Sequence, residues 1–114
     1  MRVVMGDNKN YLGEFEELLL LALLRLRDNA YGVTIRQELE TVTGRATSIG
    51  AVYTTLERLE QKGYVSSYRG EATPERGGRA KRYFKIDGAG IQALNDAERV
   101  RGLLRGKQVI GNVV

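Results

Sequence analysis

Two groups of side chains in this 114-residue chain have the types and spacing to grip a polyanion. The first lies in SIGAVYTTLERLEQKG, residues 48–63. There Gly50, Ala51, Thr54 and Thr55 keep one side of a helix-spaced segment small, and Arg58 is its first long cation. Glycine weakens a helix interior by roughly 0.5–1 kcal/mol relative to alanine, so a face needing only solubility would carry Glu and Lys instead. Small residues let a backbone come close to a partner. Thr54 and Thr55 can donate to phosphates or meet a base edge or a thymine methyl, and Arg58 can reach a phosphate or a guanine. Ser48 is suited to cap this helix, and the free N–H groups of its first turn favour an anion. The second group is ERGGRAKR, residues 75–82, where Arg76, Arg79, Lys81 and Arg82 put four cations in seven residues around Gly77 and Gly78. Such a tip is an electrostatic clamp for phosphates. Each group also has a plainer reading: Gly50 and Ala51 packed closely on another helix, and a solvated charged loop.

Other chemistry is largely excluded. The chain has no cysteine and no histidine, which removes disulfides, the usual zinc ligands, the commonest general base and any Cys–His dyad. No carboxylate cluster of the EF-hand type appears, so neither a metal nor a cofactor is expected. Glu16 with Glu17, and Asp96 with Glu98, read as solvated helix charges rather than an acid–base pair. The net charge of +4 and a pI near 9.6 suit a nucleic-acid partner without establishing one.

Six elements would position the two groups. The first ten residues show no periodicity and read as a loose arm. A first helix is expected over about 11–27 or 14–27, apolar on nearly every side between Leu18 and Leu24. A helix apolar all round is buried all round, either in the core of one domain or under a partner subunit. DNAYG breaks it, and a second helix is expected over 32–40, with Val33, Ile35 and Leu39 as its apolar residues. Gly44 is the expected positive-φ residue of the following turn. Advancing 100° per residue, Ile49, Val52, Tyr53, Leu56 and Leu59 fall within about 120° and face the first two helices. The small residues and Gln61 lie opposite, with Thr55 on the margin. Gly63 ends this helix as its C′ residue. The runs YVSSYR and AKRYFKI, joined by a loop holding the single proline, Pro74, read as a hairpin. Asp87 would cap a last helix over 88–105, with Ile91, Leu94, Ala97, Val100, Leu103 and Leu104 apolar, ended by Gly106.

Helix, helix, turn, helix, hairpin, helix is the order of a winged helix-turn-helix. The expected fold class is mainly α with a small β-hairpin, a three-helix core carrying a two-stranded wing and a C-terminal helix. The chain is long enough for one domain. No secretory signal is visible, and the apolar run from Leu18 to Leu24 is far short of the roughly 20 residues that span a bilayer. A cytoplasmic protein is expected.

SIGAVYTTLERLEQKGYV, followed by TPERGGRAKRYFKIDGAG, resembles the PadR family of bacterial winged-helix transcriptional regulators. YGVTIRQELE is similar to the family's second helix. The pairing of Tyr53, Leu56, Leu59 and Gly63 with the second wing strand from Gly78 to Phe84 carries the likeness, which runs from about Leu12 to Leu104. It implies a homodimer on pseudo-palindromic double-stranded DNA, usually repressing its target, with helix 48–62 in the major groove and wing 70–82 on phosphates. It also implies that Tyr53 touches a phosphate, and that the last helix packs on the partner's first helix. The implied interface residues are Leu18, Leu19, Leu21, Leu23, Leu94, Val100, Leu103 and Leu104. The division that follows is an arm over 1–10, a DNA-binding domain over 11–86, and a dimerisation helix and tail over 87–114. Some family members bind flat aromatic drugs between tryptophans at the dimer centre; this chain has a short tail and no tryptophan, so a small-molecule effector has no support in its residues. The competing reading is a winged-helix module that binds protein instead of DNA.

Overall fold

The structure, a computed structural model, describes residues 12–70 and 80–106. The arm over 1–10, Pro74, Arg76, Gly77, Gly78 and Arg79, and the tail after Gly106 lie outside the described residues.

Helix α1, Glu14–Leu26, starts after an extended Gly13, whose N–H donates to Glu16 Oε1 at 2.8 Å. Glu14, Glu16 and Glu17 set negative charge against the helix N-terminus, where it is favoured. Arg27 leaves α1 at φ 55° and opens a short 3-10 turn, Arg27–Asn29. Helix α2, Gly32–Thr43, is three residues longer than its apolar pattern suggested. Its first turn is held by Thr34, whose Oγ1 accepts the Tyr31 N–H at 3.0 Å. Gly44, at φ 71°, closes it as expected, its N–H bonding to Glu40 O at 2.9 Å.

Helix α3, Ile49–Gln61, is capped by Ser48, whose Oγ accepts the Ala51 N–H at 3.0 Å. At its far end Tyr64 N–H reaches Leu59 O at 2.9 Å and Gly63 N–H reaches Glu60 O at 3.0 Å. This paired closure needs the left-handed φ of 82° that Gly63 supplies. Strands β1, Val65–Arg69, and β2, Arg82–Ile86, pair antiparallel with Val65 opposite Ile86 and Arg69 opposite Arg82. Phe84 N–H donates to Ala30 O at 2.9 Å and Tyr83 bridges to Tyr31, so the root of the wing is stitched to the connection between α1 and α2. Helix α4 runs Gly88–Arg105, the expected span. Asp87 stands at its N-cap, but the carboxylate accepts from Ser66 Oγ instead of capping the helix.

The core joins Leu19, Leu20 and Leu23 of α1, Ile35 and Leu39 of α2, Val52, Leu56 and Leu59 of α3, Val65 and Phe84 of the wing and Leu94 of α4. Several expectations are corrected here. Leu19, Leu23 and Leu94 are buried within the chain itself, so they are not free to form an interface. Glu16 and Glu17 are buried rather than solvated: Glu16 pairs with Lys62 Nζ at 3.0 Å and Glu17 with Arg101 Nη1 at 2.7 Å. The inward side of α3 is Val52, Thr55, Leu56 and Leu59, because the first turn overhangs the core and leaves Ile49 exposed. Val33 is likewise exposed. No helix among the described residues is long and apolar enough to cross a membrane.

Candidate nucleic-acid interface

The N-terminal half of α3 buries Val52 and Thr55 and leaves its other side uncovered. Ser48, Gly50, Ala51, Thr54 and Arg58 are all exposed. A Cβ built on Gly50 would meet nothing within 4 Å among the described residues. Close packing of Gly50 on a neighbouring helix therefore does not explain its small size. Arg58 makes no ion pair among the described residues, whereas Arg25, Arg36, Lys62, Arg82 and Arg101 each do. Thr55 departs from expectation: at 5% exposure it is turned into the core, and its hydroxyl is not available to a partner.

Tyr53 lies between the two sides, 37% exposed. Its ring meets Phe84 edge-on, centroids 6.4 Å apart, while its hydroxyl end rests against Gly32 at the start of α2. A Cβ at Gly32 would sit 2.6 Å from the ring Cζ, so glycine is required for this ring to lie down there. The result is a ring packed inward with its polar tip beside the N-terminus of a second helix.

The described part of the wing adds Lys81, whose Nζ lies 3.9 Å from the centroid of the Tyr31 ring. Tyr31 meets Tyr83 edge-on at 5.5 Å, and Tyr83 stacks on Tyr68 at 5.7 Å. A cation held over a ring is favoured by the ring quadrupole, and Lys81 is half-buried there. Arg82 does not point the same way. Its Nη2 donates to Glu60 Oε1 at 2.8 Å and its guanidinium covers Phe84, so it serves the fold and is not a free wing cation. Arg76 and Arg79 lie outside the described residues.

Two residues beside this surface carry no strong signal in the sequence. Arg45 is exposed in the turn between α2 and α3 and lines one groove with Ser48 and Ala51. Its signal was its position, next to the turn glycine and three residues before the N-cap. Tyr31, which supports Lys81, is separated from it by 50 residues and left no signal in spacing. Among the described residues no group of three His, Cys, Asp or Glu could hold a metal ion.

The geometry is an exposed, small-sided helix with an unpaired arginine, flanked by cations at the preceding turn and at the wing. The sequence matches the model of the transcriptional regulator PadR-like family over residues 20–96. No curated protein matches it. Among solved structures it is similar to a PadR-like transcription factor from Bacteroides fragilis, at 26% identity over 80% of this chain and 82% of that one, TM-score 0.69. It is also similar to a transcriptional regulator from Clostridium thermocellum, at 24% identity over 86% and 89% of the two chains, TM-score 0.66. A PadR family transcription regulator from Clostridium difficile is similar at 20% identity over 80% and 91%, TM-score 0.61. The family match runs from within α1 through both strands of the wing into α4, and the chain belongs to the PadR-like family of transcriptional regulators, DNA-binding proteins rather than enzymes.

Proposed function

We propose that the protein acts as a homodimer on a pseudo-palindromic operator, in the repressing role usual for the family. Residues 11–86 bind DNA and 87–114 serve dimerisation. Helix α3 enters the major groove with its N-terminal residues at the base edges, the docking mode of helix-turn-helix proteins. The observation that carries this reading is the open space around Gly50, on the uncovered side of a helix whose other side is buried. Ser48, Gly50, Ala51, Thr54 and Arg58 form the reading surface, with Tyr53 on a phosphate. Arg76, Arg79 and Lys81 clamp phosphates from the wing.

Gly50→Gln tests the reading surface. It replaces a poor helix former with a better one at a position with room for a side chain, so the melting temperature should hold or rise slightly. The longer side chain would stand between helix and groove, and operator affinity should fall about tenfold, or 1.4 kcal/mol. A variant that melts early while its folded fraction binds normally would reverse this assignment. The wing is tested separately. Changing Arg79 and Lys81 together to Ala should weaken specific and nonspecific binding alike and flatten the dependence of log K on log salt by roughly one to two units. An unchanged slope would remove the wing from the phosphate contacts.

The dimer reading rests on two apolar surfaces that the described residues leave uncovered. Leu103 and Leu104 near the end of α4 are 70% and 84% exposed, with Val100 one turn before them. On the outer side of α1 and α2, Leu18, Leu21, Leu24 and Val42 line an apolar groove of about 420 Å³. A two-fold arrangement lets each α4 end fill the other protomer's groove, since a self-complementary contact is made twice by one symmetry axis.

A further inference from the structure

We propose that Glu60 is a positioning residue that locks the wing to α3, so that reading helix and wing meet DNA as one rigid body. The inference rests on the DNA-binding mode described above. Glu60 lies in the last turn of α3, and each of its carboxylate oxygens is taken by a different strand. Oε1 accepts from Arg82 Nη2 of β2 at 2.8 Å, and Oε2 accepts from Ser67 Oγ of β1 at 2.9 Å. The arginine is itself held in place, its guanidinium 4.9 Å from the centroid of the buried Phe84 ring. One carboxylate thus ties both strands of the hairpin to the helix.

The arrangement runs against what charge alone would select. A surface tuned only for attraction to phosphates would leave Arg82 free and carry no acid at position 60. Here a wing cation is withdrawn into an internal pair. Both partners are about one-third exposed, so the pair adds little to stability. Its effect is geometric. Two DNA contacts on one rigid body act as linked sites, the second forming intramolecularly, and the gain is lost when the geometry between them is loose.

The test compares wild type, Glu60→Ala and Glu60→Gln. The Gln side chain keeps an oxygen for Arg82 and an N–H for Ser67 Oγ while removing the charge. Binding is measured against salt on a mixed-sequence duplex and on the duplex recovered by selection. Glu60→Ala should lose about tenfold in affinity for the selected duplex, and Glu60→Gln should stay within about threefold of wild type. The salt slope of Glu60→Ala should become shallower by about one unit as wing phosphates are lost. If both variants bind more tightly with steeper slopes, Glu60 acts only as a repelling charge and the proposal is wrong. A second measurement needs no DNA. The chain has no cysteine, so Gln37→Cys and Arg69→Cys accept spin labels on α2 and at the end of β1. The label-to-label distance distribution should broaden in Glu60→Ala and not in Glu60→Gln; an unchanged distribution in Glu60→Ala overturns the lock. A wild type with no affinity for either duplex would instead sink the DNA-binding mode, and the label distances would still decide whether Glu60 holds the wing.

Discussion

Phe84→Ala should destabilise the protein by about 3–5 kcal/mol, the range for emptying a fully buried aromatic site. Phe84 is among the largest fully buried side chains of the protein. It stands where the wing meets the helical core: Tyr53 of α3 meets its ring edge-on, the Arg82 guanidinium covers it, and its own N–H is bonded to Ala30 O. The site cannot collapse easily, because β2 is held in register by β1 and by the bridge between Tyr31 and Tyr83. Domains are stable by only about 5–15 kcal/mol, so this loss consumes much of the margin. At roughly 4–8 °C per kcal/mol for a domain of this size, the melting temperature should fall by more than about 12 °C. Thermal unfolding followed by circular dichroism checks it. A shift of only a few degrees would mean that the wing is not wedged on the core through this ring.

Leu103→Asp should turn the proposed dimer into monomers. Leu103 makes little contact within its own chain, so the protomer's fold should be spared. In an apolar seam between subunits the new carboxylate would be buried without a partner, which is strongly unfavourable. Sedimentation should show the wild type as a dimer at tens of micromolar and the variant as a monomer. Operator affinity should fall with it, by as much as the 10²–10⁴ that linked half-sites can contribute. A wild type that sediments as a monomer at the same concentration would remove both the dimer and the two-fold operator. Leu104→Asp, still more exposed, should behave in the same way.

Much of the fold was legible because it depends on local chemistry. Ser48 caps α3, Gly44 and Gly63 take left-handed conformations, and α4 keeps the bounds its flanking Asp87 and Gly106 suggested. These follow from hydrogen bonds and φ preferences within a few residues. What could not be read depends on depth and distance. A helical wheel gives the direction of the apolar side but not where the core ends: it puts Ile49 inside and Thr55 at the margin, and the structure reverses them. Leucines of one helix look alike in sequence; only packing separates Leu19 and Leu23, covered by their own chain, from Leu21, which is left outside. Ion pairs across the fold leave no trace in spacing. Glu17 and Arg101 are 84 residues apart, and Glu60 and Arg82, which decide that one wing cation is not free, are 22 apart.

Selection of bound sequences from random duplex DNA, followed by salt titration on the recovered sequence, is the most direct test of the DNA-binding reading. One pseudo-palindromic motif should emerge, its half-sites about one helical turn, or a multiple of it, apart. Affinity for it should fall with log salt at a slope of about −0.9 per phosphate contacted. No enriched sequence, together with weak binding that salt does not change, would contradict the assignment of α3 and the wing to DNA and leave their exposed faces to a protein partner.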